Sequence, residues 1–377
     1  MTKKVLITGG AGFIGSHLVD KLIEQKDYEV SILDNLEEQV HGKIDKPPSY
    51  LNRSSKFFHG SITDYKKLEN LVKENEIVFH LAASVGVGQS MYQIEKYVDN
   101  NIHGLANLLN ILVNSEHNVE KVIIASSNTV YGESKSKCEK CGIIYPKLRT
   151  LEQLKVKNWD LICPTCGSSV KPLLTDENSP LNPSSVYAFS KQAQEKLSLM
   201  IGNTYGINVS VLRFFLVYGT RQALSNPYTG VCSIFCTRAL LGKPPIIFED
   251  GNQTRDFVNV GDICQALILA MQKNAANGET FNVGTGIPIT IKEVAEIITN
   301  KINPKLKPIY TQQFRIGDIR HCVADITKIK KKLEYIPKFT FRESIVDLIE
   351  WIKIQKKKPH EHSFDAMREL KEKGLLK

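Results

Sequence analysis

The sequence predicts an α/β protein: a doubly wound parallel sheet joined to a smaller mixed α/β lobe, with one insertion. Three observations predict it. Short apolar runs alternate with helical patterns through the first half of the 377 residues, a glycine-rich turn follows the first run, and residues 134–175 interrupt the alternation. Strands that alternate with helices favour parallel pairing with right-handed crossovers.

Several of the predicted strands are nearly continuous apolar runs, as expected for parallel strands covered on both faces. Between the first two, Ile14, Leu18, Leu22 and Ile23 keep helical spacing, and Asn100–Ser115 does the same before the fifth. In chain order the runs are KVLIT (4–8), EVSILD (29–34), KFFHG (56–60), IVFHLA (77–82), KVIIASS (121–127) and NVSVLRF (208–214).

Beyond residue 215 the pattern becomes mixed and the loops are rich in Pro and Gly. We therefore expect a main domain over 1–133 and 176–215 and an insertion over 134–175. A smaller lobe is expected over 216–355, with some segments returning to the main sheet, and a basic tail over 356–377.

Composition excludes several classes of protein. The 42% hydrophobic and 24% charged content is typical of globular chains, and no apolar run reaches the roughly 18 residues that cross a bilayer. The net charge of +9 is dispersed rather than gathered among aromatic residues, which argues against nucleic-acid binding. A strand that starts near residue 3 leaves no room for a signal peptide, so a cytoplasmic protein is expected.

The turn ITGGAGFIGSHL follows the first strand and opens the first helix. Gly9, Gly12 and Gly15 let the backbone turn tightly and approach a pyrophosphate at the helix N-terminus, as in Rossmann-like dinucleotide sites. Asp34 ends the second strand, placed to bind an adenosine ribose. A carboxylate there repels a 2′-phosphate and no arginine follows it directly, so NAD is favoured over NADP.

Tyr187 and Lys191 lie four residues apart at the start of an amphipathic helix, and therefore on one face. A neighbouring ammonium favours the phenolate and brings a tyrosine toward useful base strength. The spacing alone is common on surface helices. With the glycine turn, and with Ser126 and Ser127 ending the fifth strand, a catalytic role is the better interpretation.

Over nearly its whole length the chain resembles the extended short-chain dehydrogenase/reductase family of sugar-nucleotide epimerases and dehydratases. The residues that carry the resemblance are TGGAGFIG (8–15), HLAA (80–83), Asn101-x-x-Gly104, SSNTVYG (126–132), YAFSK (187–191) and RDFVNV (255–260). The resemblance implies that Ser127 polarises a sugar oxygen and that Tyr187, with Lys191, takes a hydroxyl proton while hydride passes to NAD. The implied cofactor-binding residues are Gly9, Gly12, Phe13, Ile14, Gly15, Asp34, Asn35, Ser61, Ile62, Leu81, Ala82, Ala83, Asn101, Ser126, Tyr187, Lys191 and Phe214.

Two residues narrow the expected reaction. Family dehydratases carry an Asp-Glu pair after the catalytic hydroxyl, whereas this chain has Asn128 and Thr129, which cannot supply an acid and a base. Reversible oxidation, in which the keto sugar turns over and takes hydride on its other face, is then the simplest outcome. That outcome is epimerisation.

The resemblance also implies substrate contacts. Arg255 and Arg320 match family arginines that clamp a nucleotide diphosphate, which suits the bidentate geometry of guanidinium, although each could instead form a surface ion pair. Further expected substrate contacts are Ser127, Asn128, Thr129, Gln89 and Ser90. The segments at 82–98, 221–231 and 317–326, with the cysteine insertion, resemble the dTDP-L-rhamnose 4-epimerase group. UDP-hexose 4-epimerases share the catalytic residues and stay an alternative.

The chain departs from the family pattern at two positions. Leu216 replaces an asparagine that contacts the substrate diphosphate, and Ser61 replaces an aspartate near the adenine. The first departure bears on the substrate and the second on the cofactor. Neither touches the hydride chemistry.

The insertion contains two Cys-x-x-Cys pairs, Cys138 with Cys141 and Cys163 with Cys166, separated by 21 residues. Four thiolates in two knuckles suit a structural, tetrahedral Zn²⁺ with no direct catalytic role. A redox thiol pair, an iron–sulfur site or a site without metal are alternatives. We also expect zinc to order a flap beside the sugar site.

Two other functions stay open at this stage. One is a net dehydrogenase or reductase that releases its coenzyme. The other is a non-catalytic NAD-binding protein whose zinc knuckle recruits a partner, although Ser127, Tyr187 and Lys191 argue against it. The family resemblance also implies a homodimer formed through two helices, one of which carries Tyr187.

Overall fold

The computed structural model describes residues 2–224, 226, 228, 230–355 and 363–377. The strands are β1 (Lys3–Thr8), β2 (Tyr28–Asp34), β3 (Lys56–His59), β4 (Ile77–His80), β5 (Lys121–Ser127), β6 (Ser136–Cys138), β7 (Gly142–Ile144), β8 (Lys171–Pro172), β9 (Asn208–Phe214), β10 (Leu216–Tyr218), β11 (Ile246–Ile247), β12 (Thr254–Asn259), β13 (Glu279–Val283), β14 (Pro288–Thr290), β15 (Ile309–Tyr310) and β16 (His321–Cys322).

The helices are α1 (Phe13–Glu24), α2 (Glu38–His41), α3 (Tyr65–Glu74), α4 (Val87–Ser90), α5 (Ile94–Tyr97), α6 (Gly104–Asn114), α7 (Leu151–Lys155), α8 (Val186–Tyr205), α9 (Val231–Leu240), α10 (Val260–Gln272), α11 (Ile291–Ile302), α12 (Thr327–Leu333), α13 (Phe341–Lys353) and α14 (Ser363–Glu372). A π-helical turn, Val98–His103, joins α5 to α6, and 3₁₀ turns cover Asn128–Tyr131 and Asn274–Ala276.

Seven parallel strands form the main sheet in the order β13-β9-β5-β4-β1-β2-β3. Every residue of β5 is buried, as expected for a strand covered on both faces. The strand order reverses between β1 and β4, and ligands of such sheets bind at the carboxyl ends of the strands beside that switch point. The predicted parallel, Rossmann-like sheet is confirmed.

The smaller lobe is mixed. Strand β12 pairs in parallel with β10 and β16 and antiparallel with β14, while β11 pairs with β15. Helices α9, α11 and α13 share an apolar core with β12. Strand β13 lies within the predicted lobe in sequence but joins the main sheet beside β9.

The insertion contains a small antiparallel sheet, β7-β6-β8, and the helix α7. Cys138 ends β6 and Cys141 lies in the turn before β7, while the Trp159 ring lies 6.1 Å from the ring of Phe314 in the smaller lobe. The insertion therefore has a cysteine-containing end with its own small sheet, and a second end that packs on the body of the protein.

The second part of the predicted basic C-terminal tail packs on the body of the protein. Residues 356–362 of that predicted tail lie outside the described residues, but 363–377 contain α14 and return to the body. Ala366, Leu370 and Leu376 are buried, and Leu376 bridges Arg315 in β-fashion. Among the described residues, no helix is long and apolar enough to cross a membrane.

Candidate active site and dinucleotide cavity

A cavity of about 650 Å³ opens at the carboxyl ends of the main-sheet strands and continues into the smaller lobe. Most of the predicted site residues line it. Those residues are Gly9, Gly12, Phe13, Ile14, Gly15, Asp34, Asn35, Ser61, Ile62, Leu81, Ala82, Ala83, Gln89, Ser126, Ser127, Asn128, Thr129, Tyr187, Lys191, Phe214 and Arg255. Three predicted residues, Ser90, Asn101 and Arg320, lie behind its wall.

The glycine turn at the end of β1 leaves no room for side chains. Gly9 has φ +72°, and a Cβ there would lie 2.8 Å from the Ala82 nitrogen. A Cβ at Gly15 would lie 2.3 Å from the Gly9 oxygen, which explains how α1 packs so closely on the turn. No side chain caps the N-terminus of α1 at Gly12, so its first N–H groups can bind a pyrophosphate.

Asp34 is held rigidly at the end of β2. Its carboxylate accepts hydrogen bonds from the backbone of Ala11 at 3.0 Å and of Leu36 at 2.9 Å. His41 Nε2 lies 3.8 Å away, and burial lowers the pKa of that imidazole. A fixed carboxylate beside an uncapped helix N-terminus fits the ribose and pyrophosphate of NAD.

Tyr187 lies in the first turn of α8, which Ser185 caps by accepting a hydrogen bond from the Ala188 N–H at 3.1 Å. Burial raises the pKa of the Tyr187 phenol to about 12, while a hydrogen bond with the Ser127 side chain acts in the opposite direction. The Tyr187 N–H donates to Ser90 Oγ at 3.0 Å. Ser90 therefore supports the tyrosine from behind the cavity wall.

Lys191 lies one helical turn further on, and its Nζ donates to the Ala125 carbonyl at 2.8 Å. Burial lowers the pKa of Lys191 to about 7, although Glu195 acts in the opposite direction. A buried ammonium is a strong electrostatic influence on its surroundings because little water screens it. Lys191 can therefore assist loss of the Tyr187 proton when it carries charge.

Ser127 and its neighbours form a turn of hydroxyl and amide groups. Ser127 Oγ accepts hydrogen bonds from the Thr129 N–H at 3.2 Å and from Thr129 Oγ1 at 3.0 Å. Asn128 is buried beside Cys322. This turn can orient and polarise a sugar oxygen, but it supplies no carboxylate for acid–base elimination.

A buried network that the sequence did not reveal fixes the ends of β5 and β9. Arg213 donates to both carboxylate oxygens of Glu195, at 2.9 and 2.8 Å, and to the Tyr131 hydroxyl at 2.7 Å. Ser126 also donates to Glu195. Asn101 donates to Ser190 Oγ at 2.9 Å, which places this predicted cofactor residue behind the cavity wall against α8.

The two predicted phosphate-binding arginines lie in different surroundings. Arg255 lines the cavity and donates to three backbone carbonyls, those of Thr254, Ile319 and Arg320. The Arg320 side chain is 1% exposed and its guanidinium donates to three carboxylates, those of Asp160, Glu249 and Asp250. Because those acids enclose it behind the wall, the structure does not support the predicted clamp at Arg320.

Arg315 is the arginine that the sequence reasoning missed. It lines the cavity, binds Asp318 at 2.8 Å and lies over the Phe248 ring, 5.5 Å from its centre. The segment FRIGD places it three residues before Asp318, whereas the prediction took the arginine after that aspartate. Leu216 also lines the cavity, with Gln222 and Asn226 as polar neighbours on the wall.

The insertion contacts residues that support the cavity wall but does not line the cavity itself. Arg149 donates to Glu249 at 2.8 Å and to the Asp318 carbonyl at 3.0 Å, and its side chain is 2% exposed. Glu133 lies 3.8 Å from Arg149, and burial raises the pKa of that carboxyl to about 7. No residue of 134–175 lines the cavity, so the expected flap supports the wall instead of forming it.

The four insertion cysteines come together as predicted. Their sulfur atoms all lie within 4.8 Å of one another, with Cys138 and Cys166 3.6 Å apart. Backbone N–H groups of Cys166 and Thr165 bond the Cys163 sulfur and lower its pKa, as in a metal-binding knuckle. Tetrahedral Zn²⁺ with bonds of about 2.3 Å needs sulfur atoms about 3.8 Å apart, so the group fits that ion.

The sequence profile of the GDP-mannose 4,6-dehydratase family matches residues 6–146 and 167–348. The match covers most of the chain, including the glycine turn, Ser127 and the Tyr187 helix. The chain belongs to this family. The unmatched residues 147–166 fall inside the cysteine insertion, and those after 348 include α14.

Members of the family with known or assigned activities resemble the chain closely. A dTDP-L-rhamnose 4-epimerase of Burkholderia thailandensis is 32% identical over 93% of this chain and 95% of its own length. The crystal structure of UDP-glucose 4-epimerase with UDP-glucose from Thermotoga maritima superposes with a TM-score of 0.75, at 32% identity over 93% of this chain and 98% of that one. A UDP-glucose 4-epimerase of Thermus thermophilus, in complex with NAD, gives 0.73 at 28% identity over 93% and 99%.

These relatives confirm the prediction of an NAD-dependent epimerase within this family. The family's descriptive name refers to a dehydratase, and the relatives that match this chain are named epimerases as well as a dehydratase. The family therefore includes both reactions, and in this chain the turn after Ser127 carries Asn128 and Thr129 rather than carboxylates.

Proposed function

We propose that the chain is an NAD-dependent nucleotide-sugar 4-epimerase that interconverts dTDP-L-rhamnose and dTDP-6-deoxy-L-talose. The observation that carries the proposal is the contact between Ser127 and Tyr187, one helical turn from Lys191, beside a turn without carboxylates. The relative from Burkholderia thailandensis supports the choice of sugar.

In this proposal Ser127 holds the C4 oxygen of the sugar and Tyr187 takes its proton. Lys191 favours the phenolate through its charge, because a buried positive group stabilises a nearby anion. NAD, when bound, accepts the C4 hydride and returns it. The 4-keto sugar then rotates within the cavity and presents its other face, and Tyr187 returns the proton to the new hydroxyl.

Arg255 and Arg315 are proposed to bind the diphosphate at the smaller lobe. Both line the cavity, and Arg315 stacks over Phe248, which also lines it. A guanidinium suits two phosphate oxygens at once. Gln222 and Asn226 are candidates to replace the polar contact that Leu216 cannot make.

A UDP-hexose is the second candidate substrate, because the relative from Thermotoga maritima was solved with UDP-glucose. The test is incubation of the purified protein, without added coenzyme, with dTDP-L-rhamnose, UDP-glucose and UDP-N-acetylglucosamine, followed by chromatographic separation. The proposal expects the 6-deoxytalose product and little turnover of the UDP-sugars. Preferential turnover of a UDP-hexose would favour the second candidate, and consumption of added NAD would favour a net dehydrogenase.

We further propose that the four cysteines hold a structural Zn²⁺ and that the enzyme is a homodimer. Phe189 and Met200 on α8 are exposed apolar side chains, as are Ile94 and Val98 on the segment 94–103 that packs on α8, and such groups favour a protein contact. Metal analysis of the purified protein tests the first proposal. Sedimentation of the wild type against a Phe189→Glu variant tests the second, with dissociation expected in the variant.

A further inference from the structure

We propose that the C-terminal segment 363–377 is a specificity wall of the substrate cavity, whose apolar side chains select a methyl group over a polar substituent at C5 of the sugar. This inference rests on the proposed epimerase function and deepens it. Four residues of the segment line the same cavity as Ser127 and Tyr187: Ala366, Met367, Leu370 and Leu375. The family profile ends at residue 348, so this wall is not part of the family pattern.

One side of the segment is fixed to the glycine-rich loop that contains Gly86 and Gly88, beside the catalytic helix α8. Leu370 is buried, and a Cβ built on Gly88 would lie 3.0 Å from Leu370 Cδ2. The Tyr228 hydroxyl donates to Glu369 and accepts from the Tyr92 hydroxyl at 2.8 Å. These contacts attach α14 to two loops that border the cavity.

The other side of the segment is fixed by backbone hydrogen bonds. The Phe314 N–H donates to the Lys377 carbonyl at 2.8 Å, and the Lys377 N–H donates back at 3.0 Å. The Ile316 N–H donates to the Leu375 carbonyl at 3.0 Å. The segment thus joins the glycine-rich loop to the residues around Arg315, both of which line the cavity.

The contacts with this glycine-rich loop place Leu370 near the part of the cavity that contains Tyr187. Gly88 is two residues before Ser90, whose hydroxyl accepts the Tyr187 N–H at 3.0 Å. Between them, Gln89 lines the cavity and accepts a hydrogen bond from the Tyr97 hydroxyl at 3.1 Å. The sugar bound at Tyr187 therefore has Leu370 and its neighbours as part of its surroundings.

The chemistry of the wall favours a 6-deoxy sugar. Among the described residues of 363–377, those that line the cavity are all apolar, and no charged side chain of the segment reaches it. A hydroxymethyl or carboxylate group against such a surface would lose water without gaining a partner, whereas a methyl group loses little. A hydrophobic pocket rejects an analogue that adds one hydroxyl by about 100-fold at most.

The test compares kcat/KM for dTDP-L-rhamnose with that for dTDP-L-mannose, which differs only by a hydroxyl at C6. Two variants change the wall, Leu370→Asn and Met367→Gln, and a truncation after residue 355 removes it. Lys371→Ala on the same helix is the matched control, because its side chain is exposed. We expect the preference for the 6-deoxy sugar to fall about tenfold or more in the wall variants and to stay unchanged in Lys371→Ala.

If the preference stays at the wild-type value in both wall variants and in the truncation, the proposed role of 363–377 is wrong. The proposed epimerase function is unaffected by that result. An equal loss of kcat/KM for the two sugars would also contradict the proposal, because it would show that the segment has a purely structural role. A wild type that turns over neither sugar, nor any UDP-hexose, would instead overturn the proposed function and the wall with it. Thermal unfolding of each variant separates loss of folding from loss of preference.

Discussion

The buried charge cluster between the insertion and the smaller lobe gives the sharpest structural prediction. Arg149→Met removes a guanidinium that donates to Glu249 at 2.8 Å, to the Trp159 carbonyl at 3.1 Å and to the Asp318 carbonyl at 3.0 Å. Methionine keeps much of the volume but none of the hydrogen bonds. Glu249 would keep Arg320 as a partner, while the buried Glu133 would lose its nearest cation.

The expected loss of unfolding free energy follows from the burial of the charged side chains. The side chains of Arg149, Glu133 and Glu249 are 2%, 0% and 2% exposed, so water cannot replace the lost partner. Removing one member of such a buried pair costs about 3–5 kcal/mol of unfolding free energy. The Asp318 backbone would also lose its anchor, and with it the position of Arg315 on the cavity wall.

Arg149→Met should therefore weaken substrate binding more than it slows the chemical step. We expect KM for the nucleotide sugar to rise about tenfold, equivalent to about 1.4 kcal/mol, with kcat changed little because Ser127 and Tyr187 lie on other elements. Urea unfolding and initial-rate kinetics measure the two effects. Lys171→Met, an exposed position in the same insertion, is the control and should change neither. A stable variant with unchanged KM, or one that loses kcat at constant KM, would refute the reasoning.

Three further predictions concern the catalytic pair, the cysteines and a buried histidine. Tyr187→Phe should lower kcat by about 10²–10⁴-fold while NAD stays bound, as absorbance of the purified protein can show; full activity would exclude Tyr187 as the base. Chelation of the metal, or Cys163→Ser, should destabilise the insertion and raise KM more than it lowers kcat; unchanged kinetics after confirmed metal loss would make the insertion an appendage. His80 is buried, and burial lowers its pKa from 6.5 to about 3, so only the unfolded chain gains its proton as the pH falls through 6.5. Stability should then drop by about 2 kcal/mol between pH 7.5 and 5 from this group alone. Urea unfolding of His80→Gln over the same pH range should show a smaller drop than the wild type.

The sequence was informative where local chemistry decides the structure. Continuous apolar runs such as 121–127 indicate parallel strands because both faces of such a strand are buried. The turn at Gly9 needs a positive φ and a close backbone approach, which only glycine provides without strain. Tyr187 and Lys191 share a helical face by spacing alone, and the cysteine pairs are recognisable because four thiolates at that spacing suit one metal ion.

The sequence was least informative where distant segments meet. Nothing local to Arg320 shows that Asp160 and Asp250 enclose it, or that Arg315 faces the cavity instead. A basic stretch beginning at residue 356 predicts a solvated tail, yet Leu370 and Leu376 further along bury themselves against loops some 280 and 60 residues away in sequence. Such contacts depend on the assembled fold, so only coordinates reveal them.

The central claim is that hydride leaves C4 of the sugar and returns to the same carbon within one active site. Its most direct test uses dTDP-L-rhamnose carrying deuterium at C4, incubated with the purified protein without added coenzyme. We predict that the 6-deoxytalose product keeps the deuterium at C4 and that Tyr187→Phe forms almost none of this product. Loss of the label to solvent or to free coenzyme would contradict it.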